Sequence, residues 1–242
     1  MKKLLSFAFF AFCMFFVAAV SAQEVAAPTY QKGERWWIHQ FQKRLVSSSK
    51  SVLQETDWLA EFDGTDFRFY WLEANDAPGE EVTNLQRGIL LQVFGRGQFL
   101  GGKHIVYPFT VGSTWSTDRY PYCIPGCKRE EERGAEIKVE GIEKKRTAEE
   151  MKKPIETIAD EGRNFPGTYR IFRNDYGYSK GTRWQIYYWY DPDPKGCRCN
   201  VRHIFDASSR GIEGARRELE VRRYEPAPGS VSLPEEQRVS KK

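Results

Sequence analysis

The chain has 242 residues, is 40% hydrophobic and 14% aromatic, and carries a formal net charge of +4. That length suits one larger domain or two small ones, with ample material for a core. The near balance of charge offers no electrostatic case for nucleic acid or for an anionic membrane surface.

Residues 1–22 read as a targeting segment. Lys2 and Lys3 form a short basic start, Leu4 to Val20 is apolar except for Ser6, and Val20-Ser21-Ala22 offers a small-residue cleavage site. An anchor helix needs roughly 17–25 apolar residues, and this run ends directly in the cleavable site. We therefore expect an exported, periplasmic or secreted protein with no transmembrane span after cleavage. Losing the two lysines brings its net charge from +4 to +2.

Residues 23–32 read as a linker, and 33–224 as a single β-rich domain. Expected strands, in order, are Arg35–Lys43, Ser51–Asp63, Asp66–Trp71, Gly88–Phe94, Lys103–Thr110, Ala135–Lys144, Thr168–Asn174, Trp184–Tyr190, Cys197–Asp206 and Glu218–Tyr224. The clearest period-two patterns put Phe67, Phe69 and Trp71 on one face, and Trp184, Ile186, Tyr188 and Tyr190 on another. Asp63-Gly64, Asn75 to Gly79 and Asp191 to Gly196 supply turn chemistry between strands. Thr147 to Lys153 predicts a short helix stopped by Pro154. Residues 225–242, rich in Pro, Gly, Ser and charge, predict a disordered tail. The expected fold is mostly β: a curved antiparallel sheet, half-open barrel or clam-like, because many short strands must hide their edges.

Several segments carry a resemblance. Gly33-Glu34-Arg35-Trp36, then Pro108-Phe109-Thr110-Val111-Gly112-Ser113-Thr114-Trp115, Val139-Glu140-Gly141-Ile142-Glu143, Tyr188-Trp189-Tyr190-Asp191-Pro192 and Glu218-Leu219 occur in that order. Together they resemble exported β-sheet proteins of unknown function from Gram-negative bacteria. The resemblance implies a periplasmic β domain and no established catalytic residues. The chain departs from the pattern at Asn164-Phe165-Pro166-Gly167-Thr168-Tyr169, where the family has Pro-Ala-Gly-Thr-Phe, and in its cysteines and the Thr147–Lys153 insertion.

Four cysteines follow the leader, at Cys123, Cys127, Cys197 and Cys199. An even count in an oxidising compartment favours disulfides. If Cys197 and Cys199 lie in an extended strand, their Cα atoms stand ~6.6 Å apart with parallel side chains. Crossed pairing with Cys123 and Cys127 is then expected, closing a loop of about 70 residues worth roughly 4 kcal/mol. An all-cysteine zinc site is the competing reading, but its usual spacing has two intervening residues, against three and one here.

Other motifs are weaker. Gly95 to Gly102 lacks the spacing of a dinucleotide fingerprint. His39, His104 and His203 are scattered, with no hydrolase elbow or metalloprotease motif around them. Arg216, Arg217, Arg222 and Arg223 flank Glu218 and Glu220, which partly offset their charge. No catalytic residue, cofactor or metal is expected. Trp71, Trp184, Tyr188 and Trp189 remain as candidate ligand-surface aromatics, although a β core needs large apolar residues too.

These observations rank a non-catalytic periplasmic protein that binds an apolar or amphipathic envelope ligand first. An envelope assembly module and a hydrolase with an unrecognised site follow.

Overall fold

The computed structural model describes residues 23–47, 50–96, 105–117, 120–122, 131–176, 182–209 and 216–229. The expected leader, Cys123, Cys127, His104 and the chain beyond 229 lie outside the described residues. In chain order the strands are β1 (Arg35–Ser47), β2 (Lys50–Phe62), β3 (Phe67–Leu72), β4 (Pro78–Glu81), β5 (Thr114–Ser116), β6 (Tyr120–Tyr122) and β7 (Glu131–Ile142). They continue with β8 (Tyr169–Tyr176), β9 (Thr182–Tyr190), β10 (Asn200–Ser209) and β11 (Arg216–Glu225). Helix α1 (Asn84–Leu90) runs into a 3-10 turn, Leu91–Phe94, and α2 (Ala148–Lys152) precedes a second 3-10 segment, Ile158–Asn164.

The strands form one antiparallel sheet in the order β4-β3-β2-β1-β11-β10-β9-β8-β7-β5, with β6 also paired to β7. The sheet does not close on itself, so the mostly β, curved and open architecture expected from the sequence is what forms. No helix among the described residues is long and apolar enough to cross a membrane.

Directly opposed residues of an antiparallel ladder share a face, so the register defines rows across the sheet. One row reads Val139, Ile171, Tyr188, His203, Leu219, Gln40, Thr56. The next reads Ile137, Arg173, Ile186, Phe205, Arg217, Gln42, Gln54. Both belong to what we call the inner face.

Apolar residues gather at the two ends of this face. At one end Trp36, Ile38, Trp58, Phe67 and Phe69 pack under α1 and its 3-10 turn through Leu90, Val93 and Phe94. The Phe67 and Phe94 rings lie 3.8 Å apart between centroids, at an interplanar angle of 19°. At the other end Ile137, Val139, Ile171, Tyr188 and Tyr190 are covered by Val25, Ile105 and Phe109.

The outer face is roofed where β7 returns to β8. A capping box between Thr147 and Glu150 starts α2, as the Thr147–Lys153 pattern suggested. The following 3-10 segment lies against β9, where a Cβ on Gly162 would come within 1.8 Å of Trp189 Nε1. Only glycine lets this roof approach so closely.

Some expectations are corrected. Gly88–Phe94 is helical, not a strand. Leu90 and Val93 are both fully buried, which three-residue spacing allows on one helix face but not on one strand face. Lys103–Thr110 is irregular over its described part; only Phe109 bridges, to Val25, and Pro108 has no N–H to extend a ladder. The 23–32 linker is packed: Val25 is buried and Tyr30 contacts Trp36, Phe62, Phe67 and Phe94. At the start of the expected 225–242 tail, Glu225 ends β11 and Ala227 is buried; residues beyond 229 lie outside the described part. The short strands β4, β5 and β6 carry too few residues to show a period.

Candidate binding face

The cysteines come out differently from the sequence reading. Cys197 and Cys199 are bonded to each other, with Cα atoms 5.2 Å apart, which excludes the crossed pairing. The expected strand starts late, at Asn200, and Arg198 between the cysteines has φ of 50°. That left-handed turn shortens the Cα separation below the extended value and turns the thiols toward each other. Trp36 donates from Nε1 to the Cys197 carbonyl at 3.0 Å, so the turn is docked on the apolar end beneath α1. With these two sulfurs in a disulfide, a four-thiolate zinc site loses half its donors. Among the described residues no group of three His, Cys, Asp or Glu is arranged to hold a metal ion.

The candidate aromatics separate. Tyr188 and Trp189 are fully buried and serve as core, not as a ligand surface. Trp189 lies under the outer roof and donates from Nε1 to Glu143 at 3.3 Å. Trp71 is 42% exposed and stands on the inner face, its ring 3.8 Å from that of Trp58. Trp184 pairs with Ala207 in the ladder; its side chain lies outside the described residues.

The two described histidines, His39 and His203, do not converge. His39 is on the outer face, bonded through Nδ1 to Asp57 at 2.8 Å, whereas His203 is buried on the inner face and stacks on Tyr188 at 4.6 Å. Gly95 closes the first 3-10 turn in the left-handed region, a structural use of the glycine-rich segment. Residues 97–102 lie outside the described part.

Between its two apolar ends, the inner face carries polar side chains. Arg173 and Asp175, at 1% and 3% exposure, form an ion pair with Nε–Oδ1 of 2.5 Å. They are two apart on β8, so the pleat brings them to one face. Burial nevertheless holds the Asp175 carboxyl above its ordinary range, against the opposing pull of Arg173. Burial also pushes the Tyr188 hydroxyl up to about 12. On β1, Gln86 donates to Gln40 Oε1 at 3.0 Å, and Gln40 Nε2 donates to Gln42 Oε1 at 3.3 Å.

Arg217 completes this strip; the sequence reading placed it among four arginines partly offset by Glu218 and Glu220. Its neighbour Arg216 pairs with Glu161 and Glu218 on the outer face, where Arg202 also joins Glu161, Glu218 and Glu220. Arg222 and Arg223 sit within 4.0 Å of Asp57 and Asp76 respectively, with Arg223 stacked over Trp37. Strand alternation sends Arg217 to the opposite side. There it lies over the Phe205 ring at 5.3 Å, and its Nε is enclosed without a hydrogen-bond partner among the described residues. Burial pushes its guanidinium down to about 10, which leaves it charged at neutral pH. The signal was present in Arg216-Arg217-Glu218-Leu219-Glu220: period two separates Arg217 from both acids.

Two clefts lie elsewhere. One of about 520 Å³ sits beneath the outer roof, between Lys145, Arg163 and Phe165 on one side and Arg202 and Glu220 on the other. One of about 540 Å³ runs beside the edge strand β5, lined by Trp115, Phe172 and Asn174 among others. The acids of the first are engaged in the arginine network. Comparison with protein-family models, with curated proteins and with solved structures gives no match.

Proposed function

We propose that this chain is an exported envelope protein that binds an amphipathic ligand on the inner face of its open sheet, as a holder and not as a catalyst. The observation that carries this reading is the composition of that face. A polar strip of Gln40, Gln42, His203 and Arg217 lies between two apolar clusters. Trp71, exposed against Trp58, adds apolar surface at the margin. A ligand with both a polar and an apolar part matches such a surface better than a wholly apolar one, because buried polar groups must find partners. The leader-like residues 1–22 and the family resemblance support an envelope location.

The test is to purify the protein natively from the periplasmic fraction and weigh it intact before and after organic extraction. A bound amphiphile at near one per chain is expected. Protein that carries none, and that takes up no long-chain probe, would overturn the reading. A second reading rests on the β5 edge, where the cleft beside Trp115 and Phe172 offers an added strand from an envelope partner a place to pair. It predicts a crosslink from β5 to one defined protein.

A further inference from the structure

We infer that Arg217, with the Gln42 amide beside it, recognises an anionic oxygen group, so that the amphiphile of the inner face carries a carboxylate or phosphate head.

Among the described residues the charged side chains of the two central inner rows are Arg173 and Arg217, with Asp175 one step further along β8. Asp175 is held by Arg173 through both oxygens, Nε to Oδ1 and Nη2 to Oδ2. Arg217 therefore remains as a net positive charge on this face. Two strands, β10 and β9, separate it from Arg173 along the row, roughly 14 Å for three inter-strand steps. The acids next to it in sequence point to the other side and are bound by Arg202 and Arg216.

Burial makes this arrangement informative. A surface arginine without a partner is satisfied by water, but Arg217 has its Nε enclosed. A cation partly withdrawn from water at its Nε without an opposing charge is under-solvated, and the Phe205 ring compensates it only in part. Such a residue is understandable if an anion completes its shell in the working protein.

Gln42 supplies the second donor. It is the direct cross-strand partner of Arg217, so their Cβ atoms lie about 4.5–5.5 Å apart. The relay from Gln86 through Gln40 ends on Gln42 Oε1. That engages the amide oxygen and leaves the N–H2 group as the end with donors to offer. A guanidinium fork and an amide donor with no carboxylate between them suit a planar or tetrahedral oxyanion. The adjoining Phe205 and Leu219 suit the start of an alkyl chain.

This inference rests on the proposed amphiphile binding, and the experiment separates the two. Titration calorimetry compares dodecanoate, dodecyl phosphate, dodecanol and inorganic phosphate on the wild-type protein and on R217M and R217K. The two anionic chains are expected to bind at least ten-fold tighter than dodecanol. In R217M the preference for the anionic chains over dodecanol should vanish, and R217K should retain part of it. Equal binding of dodecanoate and dodecanol to the wild type would overturn the anion recognition and leave the amphiphile reading standing. Inorganic phosphate binding as tightly as dodecyl phosphate, and lost in R217M, would support the anion site and overturn the amphiphile. Binding of none of the four would overturn both.

Discussion

Two arginines occupy the same row of the inner face and have opposite circumstances. Arg173 on β8 has its carboxylate two residues away on the same strand, whereas Arg217 on β11 has its acids one and three residues away, on the far side of the sheet. Arg173 is fully buried and Arg217 partly so. The difference is that a charge paired within the fold is part of its structure, and a charge with no carboxylate partner among the described residues is open to one from outside it. Offsets of two and of one or three decide which is which, because the pleat repeats every second residue.

The largest effect is expected on the paired side. D175A removes the carboxylate that faces Arg173 in the core and should cost about 3–5 kcal/mol in urea unfolding. A loss below about 1 kcal/mol would mean that the pair is not buried as described, and the contrast with Arg217 would weaken.

The unpaired side should respond with the opposite sign. R217M removes an uncompensated cation and keeps apolar volume, so the ligand-free protein should gain about 1–2 kcal/mol, after allowing about 0.5–1 kcal/mol for the lost contact with Phe205. A destabilised R217M would show that Arg217 already has its partner within the fold. Stability gained together with anion binding lost is the signature of a residue kept for function.

The smallest effect concerns two aspartates in arginine pairs. Asp63, at the exposed β2–β3 turn, accepts from the Asp66 and Thr65 amides and from Arg68, which lower its carboxyl to about 2. Burial instead raises Asp175. The signs differ accordingly. Asp63 contributes stability above its unfolded value of 3.8, lost as pH falls through about 2. The contribution of Asp175 decreases as pH rises from 3.8 through its raised folded value. Carboxyl carbon NMR should find Asp63 titrating first from the acid side and Asp175 well after it. The reverse order would remove the argument that burial outweighs pairing on β8.

Much of the sheet was legible because alternation marks it. Phe67 and Phe69 share a buried face, as do Ile186, Tyr188 and Tyr190, and both patterns stand in the sequence unaided. The segment 88–94 was not legible in the same way. Short apolar runs fit either period, and only packing of Leu90, Val93 and Phe94 onto Trp36 and Phe67 selects the helix. Trp189 read as a surface aromatic because its neighbours alternate, yet the insertion around Gly162 covers it from the outer side. Both errors arise where a distant segment supplies the second layer.

The sequence by itself determined the class of this protein: antiparallel strands separated by turn residues, a capped short helix, and a leader-like start. Local side-chain period and backbone preference suffice for that. Tertiary structure alone decided the partner of Cys197, through the left-handed turn at Arg198, and the isolation of Arg217, through which strands stand beside β11. Both depend on where the chain returns after long separations, and no local pattern carries that information.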